Sequence, residues 1–217
     1  NDSAAPLAEG PTAGWPVYGG DEGGTRHSPL DQITPENVDQ LEVAWTYNTG
    51  DTIKAGLYTP QAKDSGGPDE PASSHASTTC QNTPILLDDT LFICTPFNRV
   101  IALDAGTGAE KWTFDPEVNL EGLYLLNCRG VSAWTGSRAR KGAASSTRIF
   151  TRTIDGRMIP PDSNTGRPRE HFGQGRTANL TEGPGDPPPG QPDLTPPPPV
   201  PAYRVITRTT PPDHPPI

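Results

Sequence analysis

Hydrophobic positions fall in short runs along this chain, and the densest set lies between Thr83 and Asp115, TPILLDDTLFICTPFNRVIALDAGTGAEKWTFD. Ile85-Leu86-Leu87, Leu91-Phe92-Ile93-Cys94 and Val100-Ile101-Ala102-Leu103 lead to a tryptophan-bearing segment, Trp112-Thr113-Phe114. Polar turn material separates them: Asp88-Asp89, then Pro96 to Arg99, then Asp104-Ala105-Gly106-Thr107-Gly108. Apolar runs this short, bounded by turn residues, predict antiparallel strands rather than helices. In the last turn glycine supplies positive-φ positions, and the Asp104 carboxylate can accept from turn amides. The stretch predicts a four-stranded meander, one blade of a β-propeller.

The pattern returns further along. Asp162-Ser163-Asn164-Thr165-Gly166 repeats the turn at Asp104 to Gly108, 58 positions on (Thr107 to Thr165). Arg148-Ile149-Phe150-Thr151, the Asp155-Gly156 turn and Arg157-Met158-Ile159 copy the two strands before that turn. Earlier, Val43-Ala44-Trp45-Thr46-Tyr47 matches Glu110 to Phe114 as a closing strand. An approximate repeat of one supersecondary unit signals a propeller or solenoid; the alternative is a set of unrelated hairpins in a β-sandwich. The expected fold is all-β, a partial propeller of about three four-stranded blades. It occupies residues 15–183, between a flexible arm (1–14) and an irregular proline-rich tail (184–217).

Other local signals refine this picture. Glycines around Trp15-Pro16-Val17-Tyr18-Gly19-Gly20 allow sharp turns beside aromatic anchors. Thr34 before Pro35 predicts an N-cap and one helical turn leading to the Val43 strand. Thr49 to Thr79, rich in Gly, Pro, Ser and Asp, reads as a long loop of the kind that often carries function. Pro160-Pro161 interrupts the strand after Ile159 and predicts an edge or a bulge.

Composition narrows the function classes. The 217 residues carry a formal charge of −9, 28 prolines and 31% apolar residues. Proline, at about 13%, exceeds the roughly 5% of ordinary proteins, and half of it lies from Pro184 onward. That tail reads either as a polyproline-II segment for an aromatic groove or as the eroded remnant of a further blade. Acidic balance argues against a nucleic-acid partner, which needs clustered Lys and Arg; Arg138-Ala139-Arg140-Lys141 reads as a solvated loop. No run reaches the ~18 apolar residues of a membrane helix. With no initiator Met or signal peptide, the chain is expected to be processed or part of something longer.

Cys80, Cys94 and Cys128 allow one disulfide and one free thiol, with no metal-site spacing and the pairing open. Cys94, within an apolar strand, reads as a buried small hydrophobe. His27, His75, His171 and His214 are too scattered for a zinc site. Asn179-Leu180-Thr181 satisfies a glycosylation sequon, a pattern frequent by chance.

WPVYGGDEGGTRHSPLDQITPENVDQLEVAWTYNTGD, TPILLDDTLFICTPFNRVIALDAGTGAEKWTFDPE and CRGV, in that order, resemble the pyrroloquinoline-quinone (PQQ) dehydrogenases, in particular the membrane-bound glucose/quinate/shikimate branch. The resemblance runs from about Trp15 to about Asp186. It implies an eight-bladed periplasmic propeller holding PQQ and calcium, oxidising sugar or polyol hydroxyls and passing electrons to ubiquinone. In such a site a carboxylate takes the hydroxyl proton while hydride moves to a quinone carbon polarised by calcium and cationic groups. Arginine forks suit the three carboxylates of PQQ. Arg129 matches the family's cofactor-contacting arginine, and Gln81 stands where relatives carry a cofactor-contacting glutamate. An amide keeps a hydrogen bond there but carries no charge. Leu125 replaces a histidine that some relatives place near the substrate.

The resemblance assigns the catalytic aspartate, the PQQ-facing lysine and the calcium ligands to later blades, so catalytic and metal residues are expected to be absent here. The chain is expected to be inactive alone and to need a complementary chain or the rest of its own propeller. The competing function is a non-catalytic β-module whose proline tail recruits a partner.

Overall fold

The computed structural model describes residues 14–21, 23–51, 80–118, 126–136, 147–168, 170, 172–173, 175–180, 197–198, 200 and 205–206. Outside them lie most of the arm, the bulk of the 49–79 loop, Leu125, the Arg138 to Lys141 patch, three of the histidines and the tail from Pro184 to Pro196. Strands β1 (Ile85–Leu87), β2 (Thr90–Cys94), β3 (Val100–Asp104) and β4 (Glu110–Phe114) form one antiparallel sheet in chain order. A second sheet, also in chain order, contains β5 (Ser132–Thr135), β6 (Thr147–Arg152), β7 (Arg157–Ile159) and β8 (Ala178–Asn179). Two consecutive meanders are what a propeller requires, and the predicted first blade is present strand for strand.

Alternation explains the core. Cross-strand neighbours Ile85, Phe92 and Ala102 share a face with Cys94 and its partner Val100. That face meets Val131, just before β5, and Ile149 of β6 in one buried cluster, with Trp112 and Ala133 packed against it. Ile101 and Leu103, on the opposite face of β3, are buried too. Asp88 and Asp89 both take positive φ (42° and 57°) in the two-residue β1–β2 turn. This conformation matches the twist of the paired strands.

The repeat holds at the level of hydrogen bonds. At Asp104 the carboxylate accepts from the Thr107 amide at 3.0 Å and the carbonyl accepts from Gly108 at 2.8 Å. At Asp162 the same bonds run from Thr165 at 3.2 Å and Gly166 at 2.8 Å. The β2–β3 turn is closed by Thr95 N–H donating to Arg99 O, and the β6–β7 turn by Thr153 N–H donating to Arg157 O, both at 2.9 Å.

Each repeat also grips the segment before it. Trp45 donates its indole N–H to Ala105 O at 3.1 Å with its ring over Gly108. Trp112 donates to Ser163 O at 3.0 Å with its ring over Gly166. Four residues beyond each tryptophan a backbone carbonyl accepts from an arginine of the next unit: Thr49 O from Arg99, and Pro116 O from Arg157 at 2.8 Å. Arg99 also pairs with the buried carboxylate of Asp51. Asp51 and Asn98 in turn accept from backbone amides of the following unit, Phe97 and Ile154.

Three expectations need correction. Val43 to Tyr47 pairs with no strand among the described residues, which hold two four-stranded sheets. Its tryptophan is nevertheless docked on the turn of the first sheet, while the strands it would close are not in the described part of the chain. The helical turn is displaced to a 3-10 segment at Val38–Gln40; Thr34 still caps locally, its hydroxyl accepting from Glu36 N–H at 3.3 Å. Pro160 and Pro161 make neither an edge nor a bulge. The β6–β7 register runs unbroken from Arg152↔Met158 to Arg148↔Asp162, with Ile149 N–H donating to Pro161 O at 2.9 Å. Pro160 falls at the non-hydrogen-bonded pair between these, where no donor toward β6 is required.

Candidate functional site

Arg129 and Gln81 approach one another through backbone pairing. Thr83 N–H, two residues after Gln81, donates to Arg129 O at 3.0 Å. Before Thr83, Asn82 turns its side chain toward β2, where Oδ1 accepts from Cys94 N–H at 3.2 Å. Cys94 is disulfide-bonded to Cys128, the residue preceding Arg129, with Cα atoms 5.8 Å apart. The expectation that Cys94 is a buried small hydrophobe holds for its burial, and the bond adds a covalent role. Cys94 is fully buried, as an apolar strand residue should be, and its bond ties β2 to the segment leading into β5. Cys80 is the exposed free thiol.

Gly130 makes this approach possible. Its φ of +154° is one that side chains rarely adopt. A Cβ there would stand 3.2 Å from Thr83 O and 3.5 Å from both Tyr18 and Pro197. From Leu126 to Val131 every residue is buried except Arg129. Its guanidinium therefore projects from an otherwise closed stretch of chain. Among the described residues no ion pair engages it. Gln81 is likewise exposed. An enclosed cofactor site would bury both, so any enclosure must come from outside the described residues.

The donor chemistry suits an anionic quinone. A guanidinium presents a planar fork to carboxylates, and a neighbouring amide adds N–H groups without a repelling charge. Nearby, Asn127 Oδ1 is buried without a partner, but it is an acceptor and offers a carboxylate nothing. No group of three or more His, Cys, Asp or Glu placed to hold a metal exists among the described residues. No described helix is long and apolar enough to cross a membrane.

Comparison with known proteins decides the family. The model for "PQQ: Glucose/ethanol/alcohol dehydrogenase, beta-propeller domain" matches residues 15–215. The chain belongs to this family. Among relatives of the PQQ propeller family, it is 35% identical to the glycerol dehydrogenase large subunit of Gluconobacter oxydans, over 86% of this chain and 23% of that protein. It is 37% identical to quinoprotein glucose dehydrogenase A of Acinetobacter calcoaceticus, over 77% of this chain and 20% of that one. It is 34% identical to the quinate/shikimate dehydrogenase (quinone) of Acinetobacter baylyi, over 79% and 21%. In three dimensions it resembles the quinohemoprotein alcohol dehydrogenase of Comamonas testosteroni, with TM-score 0.53, 27% identity, and coverage of 80% of this chain and 20% of that one. The chain thus spans about a fifth to a quarter of the length of these relatives.

The contacts that fasten the segments around Arg129 and Gln81 were not legible in the sequence. The Asn82 side chain and the Cys94–Cys128 link were hidden because cysteine spacing leaves connectivity open. Ser132-Ala133-Trp134-Thr135, which forms β5, was an available strand signal of the same kind as the Trp-Thr of β4.

Proposed function

We propose that this chain is the N-terminal part of the propeller of a PQQ-dependent dehydrogenase that oxidises sugar or polyol hydroxyls. Electrons pass to a quinone such as ubiquinone, and the setting is periplasmic. The propeller portion is residues 15–183, with 1–14 an arm and 184–217 an irregular tail. Arg129 and Gln81 contribute to PQQ binding, Arg129 by pairing with a carboxylate and Gln81 by an amide hydrogen bond. When bound, PQQ supplies the hydride acceptor, and a calcium ion polarises it. The proton-abstracting carboxylate and the metal ligands belong to other blades, so this chain orients cofactor and does not catalyse by itself.

The observation that carries this reading is the docked but unpaired segment at Trp45. Trp112, in the same docking arrangement, lies on the fourth strand of a complete sheet, which makes Val43 to Tyr47 the fourth strand of a blade whose other strands lie elsewhere. The substrate class follows from relatives named for glycerol, glucose and quinate/shikimate.

The test supplies PQQ and Ca²⁺ to the chain with and without a polypeptide carrying the remaining blades, and follows dye reduction. Activity is expected only with the complement. Arg129→Ala in the complemented protein should weaken PQQ binding by about 1.5–3 kcal/mol, the range for a hydrogen bond to a charged group. No PQQ binding in any combination sinks the proposal.

A further inference from the structure

We infer that the Cys94–Cys128 disulfide and Asn82 form a positioning clamp for the cofactor-facing residues, fixing Arg129 against the segment before β1 that bears Gln81. The inference rests on the reading of those two residues given above. Three fastenings converge on a few residues. The disulfide joins the end of β2 to the residue before Arg129. Asn82 Oδ1 accepts from the amide of Cys94 itself. Thr83 N–H holds the carbonyl of Arg129. The cross-link spans 34 positions and ties the end of β2 to the segment leading into β5, so no local turn does this work in its place.

The placement is unusual for a purely stabilising link. Both sulfurs are buried, at 1% and 5% residue exposure, yet the next residue is the one exposed position between Leu126 and Val131. A guanidinium on a long flexible side chain recognises a carboxylate well only if its backbone anchor is fixed, because geometry at the site must hold to a fraction of an ångström. The disulfide supplies that anchor one residue away. Cys94, Cys128 and Asn82 touch no cofactor in this scheme and are positioning residues.

The test uses the full chain with Cys94→Ala/Cys128→Ala, which leaves no unpaired thiol from the pair, and Asn82→Ala, which keeps the disulfide. Trypsin reports the clamp at the Arg129–Gly130 bond and global opening at Arg157–Met158, inside β7. In the double variant, cleavage at Arg129 should rise about tenfold relative to cleavage at Arg157, as expected for a local rather than global opening. Asn82→Ala should move the ratio the same way by a smaller factor. PQQ affinity, read from tryptophan quenching, should fall in the same order. An unchanged ratio in both variants, or a parallel rise at the two sites, overturns the clamp. If the ratio changes but no form of the protein binds PQQ, the clamp stands and the cofactor reading fails.

Discussion

Tyr47 shows how one side chain ties the N-terminal segment to the first sheet. Its hydroxyl donates to Glu110 on β4, sixty-three positions away in sequence. Burial raises the phenol, and the acceptor carboxylate raises it further, to about 12 against an ordinary 10.0. The same bond, with that from Thr113, holds Glu110 below the usual carboxylate range. In the unfolded chain the phenol loses its proton near 10, in the folded chain near 12, so folding loses this support as pH rises between those values. Ultraviolet titration should show a late-titrating phenol that disappears in Tyr47→Phe. Glu110→Gln should bring that phenol back toward 10. A late transition that survives Tyr47→Phe contradicts the assignment. Asp51 makes the complementary case. Its carboxylate is buried and held by Arg99 and by the Phe97 amide. Arg99→Ala leaves that charge without its cation, and an unfolding titration should show a loss of about 3 kcal/mol. Neither link was legible in the sequence, because residues 47 and 51 meet β4 and the β2–β3 turn only once the sheet exists.

At the scale of the element, the two Asp-x-x-Thr-Gly turns serve as both hairpin and socket. Gly166 has φ +68°, and a Cβ there would lie 2.6 Å from the Trp112 ring. Gly108 stands in the same relation to Trp45, at φ +71° and 2.5 Å. Gly166→Ala therefore meets both a disfavoured backbone and an aromatic wall. It should lower stability by about 2 kcal/mol in urea titration, whereas Gly106→Ala, in the same type of turn with only Asp104 Oδ1 at 3.6 Å, should cost far less. Equal losses at the two glycines would show that the tryptophan contact is irrelevant. The strands and turns of the first blade were readable because short apolar runs and turn residues act locally. The second blade was half readable. β6 and β7 repeat the pattern, but β8 follows an insertion after Pro168, and its two residues carry no strand signature of their own. The proline pair misled for a related reason: its effect depends on which ladder positions need a donor, which only register reveals. Tryptophan docking was invisible as well, since Trp45 and Trp112 match each other in sequence while their acceptors, Ala105 and Ser163, differ.

For the molecule as a whole, the decisive feature is an extended segment docked by its side chains and unpaired along its backbone. Val43 is 84% exposed, with Leu41 and Ile33 each at 60%. Apolar side chains beside unsatisfied strand edges are what proteins ordinarily cover. The docking of Trp45 and Tyr47 fixes the segment against the first sheet, so its amides, unpaired among the described residues, sit on a rigid support rather than fluctuating with a loose tail. Hydrogen exchange separates these two properties. In the chain alone, amides of residues 43–47 should exchange on the time scale of open chain, while those of β2 and β3 exchange slowly through larger openings. Adding the polypeptide that carries the remaining blades should slow exchange at 43–47 selectively, because backbone pairing, and not further docking of Trp45, is what the segment lacks. If protection at 43–47 is already high in the isolated chain at all concentrations, the segment has found its partner within this chain, and the propeller ring does not pass through it. Concentration-dependent protection without the complement would instead show a second copy of the chain occupying the edge, which a blade of foreign sequence should then displace.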